Sequence, residues 1–119
     1  MLKDIMPKEV ILFLPGYGVL LLAAVALSLW PPQKPNPWFG YRTPASMRNE
    51  ENWRIAQRYS AMVMGLCTVI GLAVLLVISN MDVSSNTYVA FGVGGLLLSV
   101  ALTIILTELR IARPHNRRS

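Results

Sequence analysis

Long apolar stretches separated by short polar ones set the pattern of this chain. Residues 10–30, 61–79 and 88–107 contain no Asp, Glu, Lys or Arg, and run for 21, 19 and 20 residues. A helix rises about 1.5 Å per residue and a bilayer core is about 30 Å thick, so about 20 apolar residues cross it. The pattern predicts an all-α integral membrane protein. It has three transmembrane helices in one membrane domain over 1–119, a Pro-rich loop at 31–60 and a basic tail at 108–119. Three buried helices of a water-soluble protein are disfavoured, because too little polar sequence remains to cover such a core. Lys3, Lys8 and the Ala24-Val25-Ala26 triplet resemble a signal peptide. Asp4 and Glu9 cancel that basic start and the apolar run continues to Trp30, so a retained span is expected.

Within the first span, Pro15 predicts a kink or a delayed helix start. The stretch WPPQKPNPWFGYRTP follows, with prolines at 31, 32, 35, 37 and 44, and forbids a continuous helix. Trp30 and Trp38 suit the headgroup belt, and Gly40 marks a turn or a close backbone approach. Thr43-Pro44 reads as an N-cap followed by proline at the first helical position. Asn49 is a second cap, with Glu50 and Glu51 in the first turn where the helix dipole favours negative charge. No breaker follows before Ser79, so one long surface helix continues into the second span. Glu50, Arg54 and Arg58 recur every four residues and predict an ion-paired, solvent-facing stripe, with Trp53, Ala56 or Gln57, and Ser60 on a neighbouring face. Residues 80–87 form a short polar hairpin that makes the second and third spans antiparallel. In the third span Gly95, Ser99, Thr103 and Thr107 repeat every four residues, a stripe for close helix approach with hydroxyls able to bond across.

Charge adds an orientation. Lys3 and Lys8 lie on one side of a three-span layout; Lys34, Arg42, Arg48, Arg54, Arg58, Arg110, Arg113, Arg117 and Arg118 lie on the other. The positive-inside rule then predicts that the N-terminus lies outside and the loop and C-terminus lie in the cytoplasm. The net charge of +5 is accounted for by topology and attraction to anionic membrane lipids, so no nucleic-acid partner is expected. Cys67 is the single cysteine, sits within a span and reads as a packing residue, so no disulfide and no metal site are expected. No span holds an ionisable carboxylate, lysine, arginine or histidine, which argues against ion-coupled transport. No HExxH, GxSxG or P-loop is present, and His115 falls in the basic tail, so neither a catalytic residue nor a cofactor is expected. The remaining polar candidates crowd into 36–58. Among them Glu50 and Glu51 point about 100° apart on a helix and make no acid/base pair by themselves.

Asn36, then Gly40-Tyr41-Arg42-Thr43-Pro44, then Glu51, Trp53 and Ala56, all just ahead of a transmembrane helix, resemble the SdpI family of bacterial membrane proteins. Gln57 stands where that pattern places asparagine. The resemblance implies a non-enzymatic toxin-immunity or signalling protein, since the family's namesake protects a bacterium from its own secreted toxic peptide and is implicated in holding a transcriptional repressor at the membrane. It makes Asn36, Gly40, Tyr41, Arg42, Thr43, Pro44, Glu51, Trp53 and Gln57 the candidate partner- or ligand-binding residues. A toxin peptide or a cytoplasmic repressor is then the expected partner, and an oligomer is compatible with the layout. A rival reading is a small carrier, a flippase-like protein or a lipid-active enzyme built on an Arg42–Trp53 cluster.

Overall fold

A computed structural model describes residues 8–112. The N-terminal lysine at position 3 and the tail residues Arg113, His115, Arg117 and Arg118 lie outside the described residues. Among the described residues three helices follow one another: α1 (Lys8–Leu29), α2 (Glu50–Ile78) and α3 (Ser85–Ala112). All three are long and apolar enough to cross a membrane. At 1.5 Å per residue the 29 residues of α2 reach about 44 Å, more than a bilayer core, so its polar first turns stand beyond the hydrocarbon. The helices form an elongated bundle of 56 × 23 × 19 Å. α2 packs along both neighbours, and α1 touches α3 less extensively.

The packing inverts that of a water-soluble bundle. Large apolar side chains face outward, among them Leu12, Leu22, Val69, Ile70, Leu97 and Ile105, while Ser60, Thr68, Ser99, Thr103 and Thr107 are buried. In lipid an outward Leu loses nothing, so association rests on close contact between small groups. The hydroxyls do not bond across the helices as the sequence suggested. Thr68 donates to Met64 C=O at 2.7 Å, Ser99 to Gly95 C=O at 2.8 Å and Thr103 to Ser99 C=O at 2.7 Å, each within its own helix. Such back-bonding hides the hydroxyl and leaves a small, smooth surface for the neighbour.

Tyr17 locks the three helices together. It is fully buried, and its hydroxyl donates to Gly92 C=O of α3 at 3.0 Å. Its ring lies against Gly71 of α2, where an added Cβ would stand 2.8 Å from Tyr17 Cε1, and against Gly95 of α3. Phe13 lies equally close over Gly92. With Leu75 and Tyr88 these aromatics form the core at the hairpin end, and the Tyr88 hydroxyl closes it by donating to Leu75 C=O at 2.7 Å.

Two local expectations change. α1 begins at Lys8 and carries Pro15 inside it, so the helix does not wait for the proline. In an apolar setting, packing on neighbouring helices tolerates the lost hydrogen bond. Thr43-Pro44 opens one turn and not a helix. Thr43 Oγ1 accepts from Ser46 N–H at 3.1 Å and Ser46 Oγ accepts from Thr43 N–H at 2.8 Å, a reciprocal cap. Met47 N–H closes that turn on Thr43 C=O at 3.0 Å. Asn49 then takes an extended conformation (φ −154°, ψ 172°), and its side chain accepts from Asn52 N–H at 2.7 Å to start α2 afresh.

Candidate functional site

The Pro-rich loop is a folded cap on one end of the bundle, and Gln57 is its hub. Gln57 is fully buried on the second turn of α2. Its Oε1 accepts from Tyr41 N–H at 2.8 Å, and its Nε2 donates to Tyr41 C=O at 2.9 Å. One side-chain amide thus replaces both backbone partners that Tyr41 would find in a sheet. Gly40 makes this possible. Its φ of 108° lies in the region that favours glycine, and a Cβ there would stand 2.5 Å from Gln57 Oε1.

The loop is fastened to α2 and α3. Trp53, fully buried on α2, donates its indole N–H to Pro32 C=O at 2.8 Å, just beyond the end of α1. Asn52 donates to Ala45 C=O at 3.0 Å. Asn36 holds the proximal arm, where its Oδ1 accepts from Trp38 N–H at 2.9 Å and Phe39 N–H at 2.8 Å, and its Nδ2 donates to Lys34 C=O at 3.1 Å. The distal arm reaches α3. Glu108 Oε2 accepts from the Tyr41 hydroxyl at 2.7 Å and from Thr43 Oγ1 at 2.6 Å. The Tyr41 hydroxyl also lies 3.2 Å from Ile104 C=O, a longer and secondary partner. Burial, then the hydrogen bond and the negative charge of Glu108, push the Tyr41 phenol well above its usual range, with a smaller opposing contribution from Thr43.

The nine sequence-derived candidates therefore fall into two groups. Tyr41, Thr43 and Gln57 share one hydrogen-bonded network with Glu108, Gly40 packs against Gln57, and Asn36 and Trp53 hold the same loop through separate bonds. Pro44 begins the turn behind Thr43, and half-buried Glu51 sits in the first turn of α2. Arg42 is exposed, and among the described residues it forms no hydrogen bond, ion pair or ring contact. The loop is organised by Gln57 and not by the Arg42 guanidinium. The expected ion pairs along Glu50, Arg54 and Arg58 are also absent among the described residues, although all three side chains are exposed. Ser46, Asn52 and Glu108 were missed as members of the network. Ser46 is signalled by its spacing three residues after Thr43, and Glu108 by being the one carboxylate after Asp82.

Two larger hollows lie in the bundle, and the second of them adjoins this network at Gln57. A groove of about 630 Å³ between α2 and α3 is lined by Tyr17, half-buried Cys67, Gly71, Gly95, Leu98 and Ser99, among others. A cavity of about 420 Å³ lies between residues 31–34 and the first turns of α2. Among the described residues no cluster of His, Cys, Asp and Glu is placed to hold a metal ion.

The model of the SdpI/YfhL protein family matches residues 33–107, from the proximal arm of the loop through the apolar length of α3. The uncharacterized protein YfhL of Bacillus subtilis (strain 168) is 33% identical over 101 residues, covering 81% of this chain and 82% of that protein. No solved structure matches the chain. The family match spans more than half of the chain and the relative is matched over most of both proteins, so the chain belongs to the SdpI/YfhL family.

Proposed function

We propose that this chain is a non-catalytic immunity or signalling protein of the bacterial inner membrane. It confers resistance to a secreted antimicrobial peptide, or relays the presence of that peptide to a cytoplasmic regulator. Its N-terminus is outside and the loop cap and C-terminus are in the cytoplasm, as the distribution of basic residues favours. The observation that carries the reading is the latch from Tyr41 and Thr43 to Glu108 in a member of this family. The same two helices that wall the apolar groove, α2 and α3, are tied together at the loop end by that latch. A peptide entering the bilayer from outside meets the groove between them. Spreading the helices there strains the latch and alters the exposed face that Arg42 presents to a regulator.

Membrane lipids surround the bundle, and no cofactor enters this mechanism. The carrier or lipid-enzyme reading loses support, because Trp53 is enclosed and its one N–H is already bonded to Pro32. The test is survival of a deletion strain under a panel of secreted antimicrobial peptides, complemented at matched membrane abundance. Glu108→Ala and Arg42→Ala should each lose protection, the first through the latch and the second through the exposed face. Full protection by both variants would sink the reading. Loss in Glu108→Ala alone would leave the latch and remove Arg42 from the output.

A further inference from the structure

The cavity beneath residues 31–34 holds more positive charge than its surroundings neutralise. Lys34 closes it on the loop side, and Arg54 and Arg58 line it from successive turns of α2, with Glu50 as the single carboxylate and Gln57 beside them. Among the described residues none of the three cations forms an ion pair, so Glu50 leaves two positive charges uncompensated. The loop wall is pinned at both ends. Trp53 holds Pro32 C=O at 2.8 Å, and Asn36 holds Lys34 C=O at 3.1 Å. Gln57 uses one of its two amide N–H groups on Tyr41 and keeps a second donor. The depth is that of lipid headgroups: Arg58 stands three residues before the charge-free stretch that begins at Ala61, and the exposed Trp30 lies between the end of α1 and the cavity-lining Pro31. Two guanidinium forks lining one cavity at that level match the oxygens of a phosphate, and basic pockets between transmembrane helices bind anionic headgroups.

We propose that this cavity is a binding site for a phosphate group, held by Arg54, Arg58 and Lys34 and supplied by an anionic phospholipid headgroup. The bound headgroup fills the space between the end of α1 and the start of α2 and neutralises the paired arginines. The site does not depend on the immunity reading, since it rests on the cavity and its charges alone.

Native mass spectrometry of the full chain, released from nanodiscs of mixed phosphatidylglycerol and phosphatidylcholine, tests it. The wild type should retain phosphatidylglycerol, and Arg54→Gln/Arg58→Gln should weaken retention on the order of tenfold. Arg48→Gln/Arg110→Gln removes the same charge outside the cavity and should stay near wild type. Circular dichroism on each variant should show unchanged helix, because Arg54 and Arg58 are exposed. A second arm adds inorganic phosphate at matched ionic strength to protein in a zwitterionic detergent. Heat stabilisation there, lost in Arg54→Gln/Arg58→Gln, also supports the phosphate site but assigns it to free phosphate. Equal losses in the two double variants, or no difference from wild type in either arm, would overturn the proposal.

Discussion

Replacing Gln57 by alanine tests the hub most directly. The substitution removes both bonds to Tyr41, at 2.8 and 2.9 Å, from a side chain with no solvent exposure. The two Tyr41 backbone groups do not suffer equally. Its C=O keeps the Ser46 hydroxyl at 3.3 Å, whereas its N–H has no other partner in the network. A buried donor left unsatisfied costs about 1–3 kcal/mol. Truncating the enclosed side chain adds a cavity, for a total of about 2–4 kcal/mol on the closed loop. Since about 1.4 kcal/mol is a factor of ten, even the lower figure predicts about a 30-fold faster exchange of the Tyr41 amide. Hydrogen–deuterium exchange on the purified protein in nanodiscs measures this locally, and amides in the middle of α2 serve as the internal reference. Gln57→Asn should behave almost as badly, because its amide is retracted by about 1.5 Å and cannot reach both Tyr41 groups. Exchange at Tyr41 within about threefold of wild type in Gln57→Ala, less than 1 kcal/mol, would refute the claim that this amide holds the loop.

Gly95→Leu should disrupt the bundle in detergent, since Tyr17 already occupies the space beyond that position, whereas Leu97→Phe on the lipid-facing side should be tolerated; equal melting behaviour of the two would remove Tyr17 as the lock. Glu108→Gln should weaken the latch by about 1–2 kcal/mol, seen as increased protease cutting of the loop, because a carboxylate accepts both hydroxyls more strongly than an amide oxygen. The raised Tyr41 ionisation fixes the sign of an alkaline effect: the folded phenol keeps its proton where the unfolded one loses it, so stability falls as pH rises above the usual tyrosine value of 10.0 towards the higher folded-state value, and Tyr41→Phe should flatten that part of the profile. For topology, Ser46 is a poor probe because it is fully buried and bonded to Thr43, so cysteines belong at the exposed Met47 and Asn86 in a Cys67→Ala background; impermeant reagents should label Asn86 and spare Met47 in intact cells, and the reverse would invert the orientation.

Much of this molecule follows from the chain alone, because the hydrocarbon solvent imposes a one-dimensional rule. A segment with no charge over about 20 residues has little choice but to become a spanning helix, with every backbone group satisfied within it. The Asn49 cap is equally local, since an Asx side chain and the N–H groups beside it are neighbours in sequence. The small residues of α3 were readable as a contact stripe for the same reason, through their four-residue spacing alone. Which group organises the loop was not readable. Arg42 carries the donors that suggest a hub, yet its position after Gly40 leaves it exposed, while the uncharged Gln57 is carried inward by the phase of α2 and meets the Tyr41 backbone 16 residues away. The Glu108 latch spans 67 residues, and the Trp53–Pro32 bond spans 21. Glu50, Arg54 and Arg58 have the spacing of an ion-paired stripe on an isolated helix, but that spacing takes no account of the 31–34 segment lying over them and turning the stripe into the wall of a cavity. Periodicity determines what each helix is and which of its faces is small or polar. Only packing determines which distant backbone group a buried amide, carboxylate or indole finds, because that depends on how loops of unrelated sequence close over a helix end.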